Sequence, residues 1–336
     1  MTDIKNKGPE MKMRFLERLW RSNDVRDMIT FFEHFNEIGD LISFSSSRPK
    51  APIAMKKVNF QTLDKNRISF DNIIVVPTLD SSGPLATEFA SSFSTYPIIF
   101  VESGGEFFNY SYSVNSGVTE ALDYSPERII ISNDDVLPLR PCGALNTIVN
   151  SQEDVDVLIP ANKESRYHGE EAYFLRHDPL FSLTQFVWAL RNLRGISNKL
   201  GSLFLLYHLK QLKVVPYIPH DRLRKAMLAF GMFRTMASPL LNFADFGIFR
   251  ADVLRVNRFD ENFINGVEDY DMMMRLKKAG YTAKRIGFEI KSIGGATFGN
   301  RSNTRFFHDI FNSIYFSMKH FGDQTSSQTG IQSDLP

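Results

Sequence analysis

At 336 residues, with Lys plus Arg (39) nearly matching Asp plus Glu (38), the chain is long enough for a large α/β core and carries no global charge drawing it to nucleic acid or membranes. A single cysteine, Cys142, excludes an internal disulfide framework and reads as a small buried apolar side chain. Apolar runs such as Leu203 to Leu206 fall far short of the roughly 20 residues needed to cross a bilayer, and no apolar run of signal-peptide length follows the basic N-terminus, so a cytoplasmic protein is expected.

Residues 1–70 read as a helical extension and linker. Phe15, Leu16, Leu19 and Trp20, then Met28, Ile29, Phe31, Phe32 and Phe35, group at helical spacing and predict one or two helices over 1–40. Ser45-Ser46-Ser47 through Pro52 reads as a break, and 53–70 is weakly patterned. Ile73-Ile74-Val75-Val76 is a short buried strand that Pro77 should stop, followed by a helix over 85–93. A second strand, Ile98 to Val101, ends at Glu102-Ser103-Gly104-Gly105; a helix over 114–122 and a third strand, Arg128 to Ser132, come next. Strands alternating with helices predict βαβ units and a mostly parallel sheet flanked by helices. Val155 to Pro160 is a further strand, and Leu180 to Phe233 is helical in pattern. Phe246 to Phe249 returns to strand, and Glu268 to Ala279 is a helix closed by Gly280. The Ser- and Gln-rich tail from Gln324 is expected to be disordered.

The chemistry-bearing feature is Ile129-Ile130-Ile131-Ser132-Asn133-Asp134-Asp135, a β-branched run that stops on two carboxylates. Ligands of open α/β sheets collect beyond the carboxyl ends of the strands. Adjacent anions there invite a hard cation, Mg²⁺ or Mn²⁺, which takes one or two carboxylates and completes its shell with water and phosphate oxygens. The bland alternative is a solvated turn.

Four segments together resemble the GT-A type nucleotide-sugar glycosyltransferases of the family 2 group, over roughly residues 71–300. Val75-Val76-Pro77-Thr78 resembles the family's first strand and nucleotide loop, and Phe100-Val101-Glu102-Ser103-Gly104-Gly105 its second strand, with Glu102 where an Asp is usual. Phe108 to Val118 is similar to the segment beneath the nucleotide, and Asn133-Asp134-Asp135 to the DXD metal motif. Asp245-Phe246-Gly247-Ile248-Phe249-Arg250, Arg258 to Phe263, and Glu268-Asp269-Tyr270-Asp271 with Arg275 resemble the catalytic half.

The resemblance implies a nucleotide-sugar half over 71–165, a helical acceptor region over 166–245 and a catalytic-base half over 246–300, with a C-terminal helix and tail over 301–336. It implies a metal-dependent, inverting glycosyltransferase using a UDP-, GDP- or dTDP-linked sugar and a glycan or lipid-linked acceptor. Asp135 would hold Mg²⁺ or Mn²⁺, and Asp269 would be the base. Pro77, Thr78, Glu102, Asn115, Gly117, Asn133 and Asp134 would bind the donor, supported by Glu268, Arg275 and Lys291. The histidine often found beyond the Glu-Asp pair is missing from Lys291-Ser292-Ile293-Gly294-Gly295, and this keeps alive a catalytically silent nucleotide-sugar or partner-binding module. His308 lies in a Phe-rich pattern and reads as packed; His177-Asp178 is a candidate acceptor pair. A nucleotidyltransferase should show a glycine-rich, cation-bearing loop after its first strand, whereas Pro77 to Leu85 has one glycine and no cation. Nine Lys or Arg residues against one acid over 179–244 suggest peripheral contact with an anionic membrane, at the inner face.

Overall fold

A computed structural model describes residues 8–35, 38–60, 70–162, 171–176, 217–220, 240–292 and 303–321. Three helices come first, α1 (Pro9–Trp20), α2 (Val25–Glu33) and α3 (Ile38–Ser47). Then follow β1 (Ala54–Val58), β2 (Asn72–Thr78), α4 (Pro84–Ser92), β3 (Ile98–Glu102), α5 (Tyr110–Leu122), β4 (Arg128–Ser132), β5 (Val136–Pro138), α6 (Cys142–Asn150) and β6 (Val157–Asn162). After them come β7 (Glu171–Arg176), β8 (Tyr217–His220), β9 (Leu240–Leu241), β10 (Phe246–Arg250), α7 (Ala251–Val256), α8 (Glu268–Lys278), β11 (Ala283–Ser292) and α9 (Asn303–Phe321).

Eight strands form one sheet in the order β1-β3-β2-β4-β10-β6-β11-β5. The fold is mixed α/β. β3, β2, β4, β6 and β11 run one way and β1, β10 and β5 the other, so that three ladders are parallel and four antiparallel. The helices α4 and α5 carry the crossovers by which β2, β3 and β4 pair in parallel. β10 instead arrives after a long excursion and enters antiparallel between β4 and β6, a direction that strand-helix alternation does not reveal.

α5 starts four residues earlier than expected, at Tyr110, and three further boundaries differ from the sequence reading, each for a local reason. The sheet begins at Ala54, inside the expected linker: β1 is an edge strand whose Lys56 and Lys57 suit an exposed border. β2 runs through Pro77 because its pairing with β4 ends at Val75, where the missing N–H interrupts no ladder on that side. α3 runs through the three serines, whose hydroxyls find carbonyl partners: Ser47 donates to Ser43 at 2.5 Å and Ser45 to Asn262. Within the expected helical region, Tyr217 and Ile218 lie in β8, since Pro219 cannot sit inside a helix and the aromatic and β-branched pair favours a strand. Together β8, β7 and β9 make a small antiparallel sheet. The rest of 177–239 lies outside the described residues.

Each face of the large sheet buries one alternate set of side chains. Ile73, Val75, Ile99, Val101, Ile129 and Ile131 pack with Val114, Val118 and Ala121 of α5 and with α7 and α8. Ile74, Val76, Ile98, Phe100 and Ile130 pack with Phe89 of α4, Leu145 of α6, Phe246 and Ile248. Gly117 lets α5 approach the sheet, because a Cβ there would lie 2.4 Å from Val75 Cγ1 and 2.7 Å from Val101 Cγ2. Gly117→Ala should therefore destabilise the protein by about 1–3 kcal/mol through overpacking, read as a lower denaturant midpoint.

A third apolar cluster joins Trp20, Phe31 and Phe44 of the first helices to Phe307 and Phe311 of α9, and includes Ile264. His308 stacks on Trp20 with ring centroids 3.8 Å apart, and its Nε2 lies 2.8 Å from the Trp20 carbonyl. Burial holds the imidazole down at about 3, so it is a neutral packed histidine that donates from Nε2. No helix among the described residues is long and apolar enough to cross a membrane.

Candidate active site

The carboxyl ends of β2, β3 and β4 and the amino end of antiparallel β10 meet on one rim, which brings Thr78, Glu102, Asn133 and Asp245 together by topology alone. The Asn133 N–H donates to the Asp245 carbonyl at 3.1 Å. Beyond it, Thr78 Oγ1 donates to Asp134 Oδ2 at 2.6 Å, fastening the acidic loop to the end of β2. Burial pushes the Asp134 carboxyl up, and the threonine bond partly offsets this. Asp135 is buried. Glu102 accepts from the Ser81 N–H at 3.1 Å and Ser81 Oγ at 2.7 Å, bonds that hold its carboxyl below the usual range.

The other acidic patch opens α8. Residue 267 precedes it with φ +69°, a left-handed conformation that costs a β-branched valine about 1–3 kcal/mol. Burial of Val267 in the core and the Asp271 N–H bond to its carbonyl at 3.0 Å keep it there. The sharp entry sets Glu268 and Asp269 in the first helical turn, where the macrodipole favours acids. Asp269 accepts from Asn242 Nδ2 at 2.8 Å and from the Tyr270 N–H at 2.9 Å. Glu268 Oε2 is buried with no hydrogen-bond partner among the described residues. Both carboxyls are raised by burial, and Glu268 further by the charge of Asp269.

Tyr110, at the start of α5, connects the patches. Its hydroxyl donates to Asn133 Oδ1 at 3.2 Å and its N–H to Asn265 Oδ1 at 2.9 Å. The phenol is raised well above its ordinary range, by burial first and then by the carboxylates of Glu268, Asp269, Asp245 and Asp135. Four carboxylates from three separate chain segments thus act on one ring. Asp245 is itself held by Asn162 Nδ2 at 3.1 Å and Ser292 Oγ at 3.0 Å. Tyr110, Asn162, Asn242 and Ser292 were not singled out from sequence; their importance is tertiary, and nothing in their local pattern marks it.

Four expected residues are placed elsewhere. Asn115 donates to the Phe259 carbonyl at 2.9 Å and to Glu261 Oε1 at 3.0 Å, and accepts from the Phe259 N–H at 2.9 Å, so its amide is occupied in pinning the loop before α8. Gly117 faces the sheet, as above. Arg275 donates to Asp271 Oδ2 at 2.9 Å and to the Arg258 carbonyl at 2.8 Å. Burial alone would raise the Asp271 carboxyl; the His320 hydrogen bond and the charges of Arg275 and Lys319 outweigh it and hold the group at about 2. Lys291 leaves β11 on the face opposite Ser292, and therefore away from Asp245. Pro77 stays in the buried strand, one residue before the rim. His177-Asp178 and most of 179–244 lie outside the described residues.

Among the described residues no group of three His, Cys, Asp or Glu side chains is placed to hold a metal ion. The hard carboxylate oxygens of Asp135, two residues after Asn133 in the same loop, are of the kind taken by a cation that uses few protein ligands and fills its shell from water and phosphate.

No family model matches the chain, and no curated protein does. Solved structures similar to it include A197 from STIV, at 10% identity and TM-score 0.33, covering 65% of this chain and 82% of that one. S. aureus TarS 1–349 matches at 10% identity and TM-score 0.36, covering 79% and 76%. The 4-diphosphocytidyl-2C-methyl-D-erythritol synthase of Anaerococcus prevotii matches at 10% identity and TM-score 0.33, covering 74% and 97%. With every TM-score below 0.5, none of these likenesses carries the functional reading.

Proposed function

We propose that this chain is a GT-A type glycosyltransferase that moves a sugar from a nucleoside diphosphate donor to an acceptor hydroxyl with inversion. The supporting observation is that the segments of Asp135 and Asp269, 134 positions apart (269 − 135), are tied together: Tyr110 bonds Asn133 at 3.2 Å and Asn265 at 2.9 Å, and the 242–245 turn bonds Asp269 at 2.8 Å and Asn133 at 3.1 Å. Glycosyl transfer needs both ends of such a crevice. At one end the leaving diphosphate gains negative charge, and a Mg²⁺ or Mn²⁺ held by Asp135 would offset it as a Lewis acid. At the other, Asp269 accepts the acceptor hydroxyl's proton; its raised carboxyl moves its basicity toward neutral pH, where a general base works best. A base opposite the leaving group inverts the anomeric carbon through an oxocarbenium-like transition state. Thr78, Asn133 and Asp134 then line the donor side, with Glu102 one strand further along the rim. A UDP-, GDP- or dTDP-linked donor, a glycan or lipid-linked acceptor, and membrane contact through 179–244 complete the proposal.

Nucleoside diphosphates are expected to raise the melting temperature, and more so with Mn²⁺. A ligand at about 100 times its Kd adds about 2.7 kcal/mol. A flat thermal-shift response to UDP, GDP and dTDP, with and without Mn²⁺, would sink the reading. The second reading, a silent nucleotide-sugar or partner-binding module, is favoured by the placement of Lys291 away from the acids; it expects binding without turnover.

A further inference from the structure

We infer that the turn Asn242-Phe243-Ala244-Asp245 sets the distance between the two acidic patches, and that Asn242 is the positioning residue for Asp269. Its kinetic consequences rest on the glycosyl-transfer reading; the structural claim does not.

The turn bonds to the segments of both acidic patches through short, rigid groups. Asn242 is 0% exposed and donates to Asp269 Oδ2 at 2.8 Å. Three residues on, the Asp245 carbonyl receives the Asn133 N–H at 3.1 Å, and its carboxylate receives Asn162 and Ser292. The span between is closed by the Phe246 N–H donating to the Phe243 carbonyl at 2.9 Å. Ala244 carries φ +30°, a strained value for a residue with a Cβ. Such strain persists only where neighbours over-determine the backbone, and here Phe243 is wedged against Phe249 and Phe259, with centroids 5.1 and 6.0 Å away.

A buried amide donor aimed at one carboxylate oxygen fixes the orientation of the carboxylate and favours its charged form. Each oxygen of Asp269 still keeps a lone pair for an acceptor hydroxyl. The other groups acting on Asp269 are Glu268 beside it on α8, Tyr110 from α5 and Arg305 from α9. Asn242 supplies the carboxylate with a side-chain hydrogen bond, on Oδ2, and the Tyr270 N–H a backbone one, on Oδ1 at 2.9 Å.

The test is a ¹³C NMR titration of the Asp269 carboxyl, assigned by its loss in Asp269→Asn, in wild type, Asn242→Ala and the near-isosteric Asn242→Asp. Removing the donor should move the Asp269 midpoint to higher pH, and replacing it by a carboxylate should move it further. With a donor sugar in hand, kcat should fall about 10- to 100-fold, the acid limb of its pH profile should shift upward, and the Kd for nucleoside diphosphate should stay unchanged. A folded variant of either kind with an unmoved Asp269 midpoint overturns the inference, as does an unmoved pH profile in an active variant. Should the wild type turn over no nucleotide sugar, the transfer reading fails alone, and the titration still judges the turn.

Discussion

Asp269→Asn is expected to lower sugar transfer by about 10²- to 10⁴-fold, the span a positioned general base contributes, equivalent to about 3–5 kcal/mol of transition-state stabilisation. The substitution is nearly isosteric, and an amide oxygen can still accept from Asn242, so the strained approach at Val267 and the first turn of α8 should survive. What disappears is the capacity to take a proton. Binding of nucleoside diphosphate, assigned to the opposite patch around Asn133, Asp134 and Asp135, should therefore change by less than about threefold. The loss should also be confined to kcat. A variant that turns over at the wild-type rate removes Asp269 from the base position. One that loses nucleotide affinity in step with activity places the residue on the donor side instead.

How much of this was legible in the chain depends on whether a role is local. β2, β3 and β4 announce themselves as β-branched runs, and α8 by its apolar spacing and closing glycine. The acids were legible for the same reason: they sit at the ends of recognisable elements, where charge collects. β1 was not, because Ala54-Met55-Lys56-Lys57-Val58 is an edge strand with most of its side chains in solvent and no apolar alternation to betray it. The helix α5 shows a finer distinction. Val114, Val118 and Ala121 define its sheet-facing stripe, and Gly117 lies on that stripe, so helical periodicity already pointed to packing against Val75 and Val101 rather than to donor binding. Asn115 lies off the stripe, and only the tertiary contact with Phe259 and Glu261 shows that it holds the loop entering α8. Tyr110 and Asn242 are invisible for the opposite reason: each acts by touching residues more than twenty positions away, and no spacing rule encodes such a meeting.

That dependence on distant support makes the first helices part of the site's scaffold, and Arg48→Met is the sharpest probe of it. Arg48 donates to Glu17 through Nε at 2.7 Å and Nη2 at 2.6 Å, with both side chains at 2% exposure or less. Its Nη1 donates to the Phe107 and Phe108 carbonyls at 3.2 and 2.9 Å, while the Phe107 N–H donates to Glu17 Oε1 at 3.2 Å. The pair thus clamps the residues immediately before Asn109, the N-cap of α5, and Tyr110. Removing the guanidinium leaves a buried carboxylate without its counter-charge and takes one of two donors from each of the Phe107 and Phe108 carbonyls, which keep the Ala51 N–H and Asn265 Nδ2; the unpaired charge should cost about 3–5 kcal/mol. Replacing both partners, Glu17→Leu with Arg48→Met, should recover most of that loss, because well-packed apolar groups can substitute for a buried ion pair but not for half of one. Denaturant midpoints of the two singles and the double decide the matter. A loss below about 1 kcal/mol in Arg48→Met would mean that the pair is hydrated and that Tyr110 is held by Asn133 and Asn265 alone.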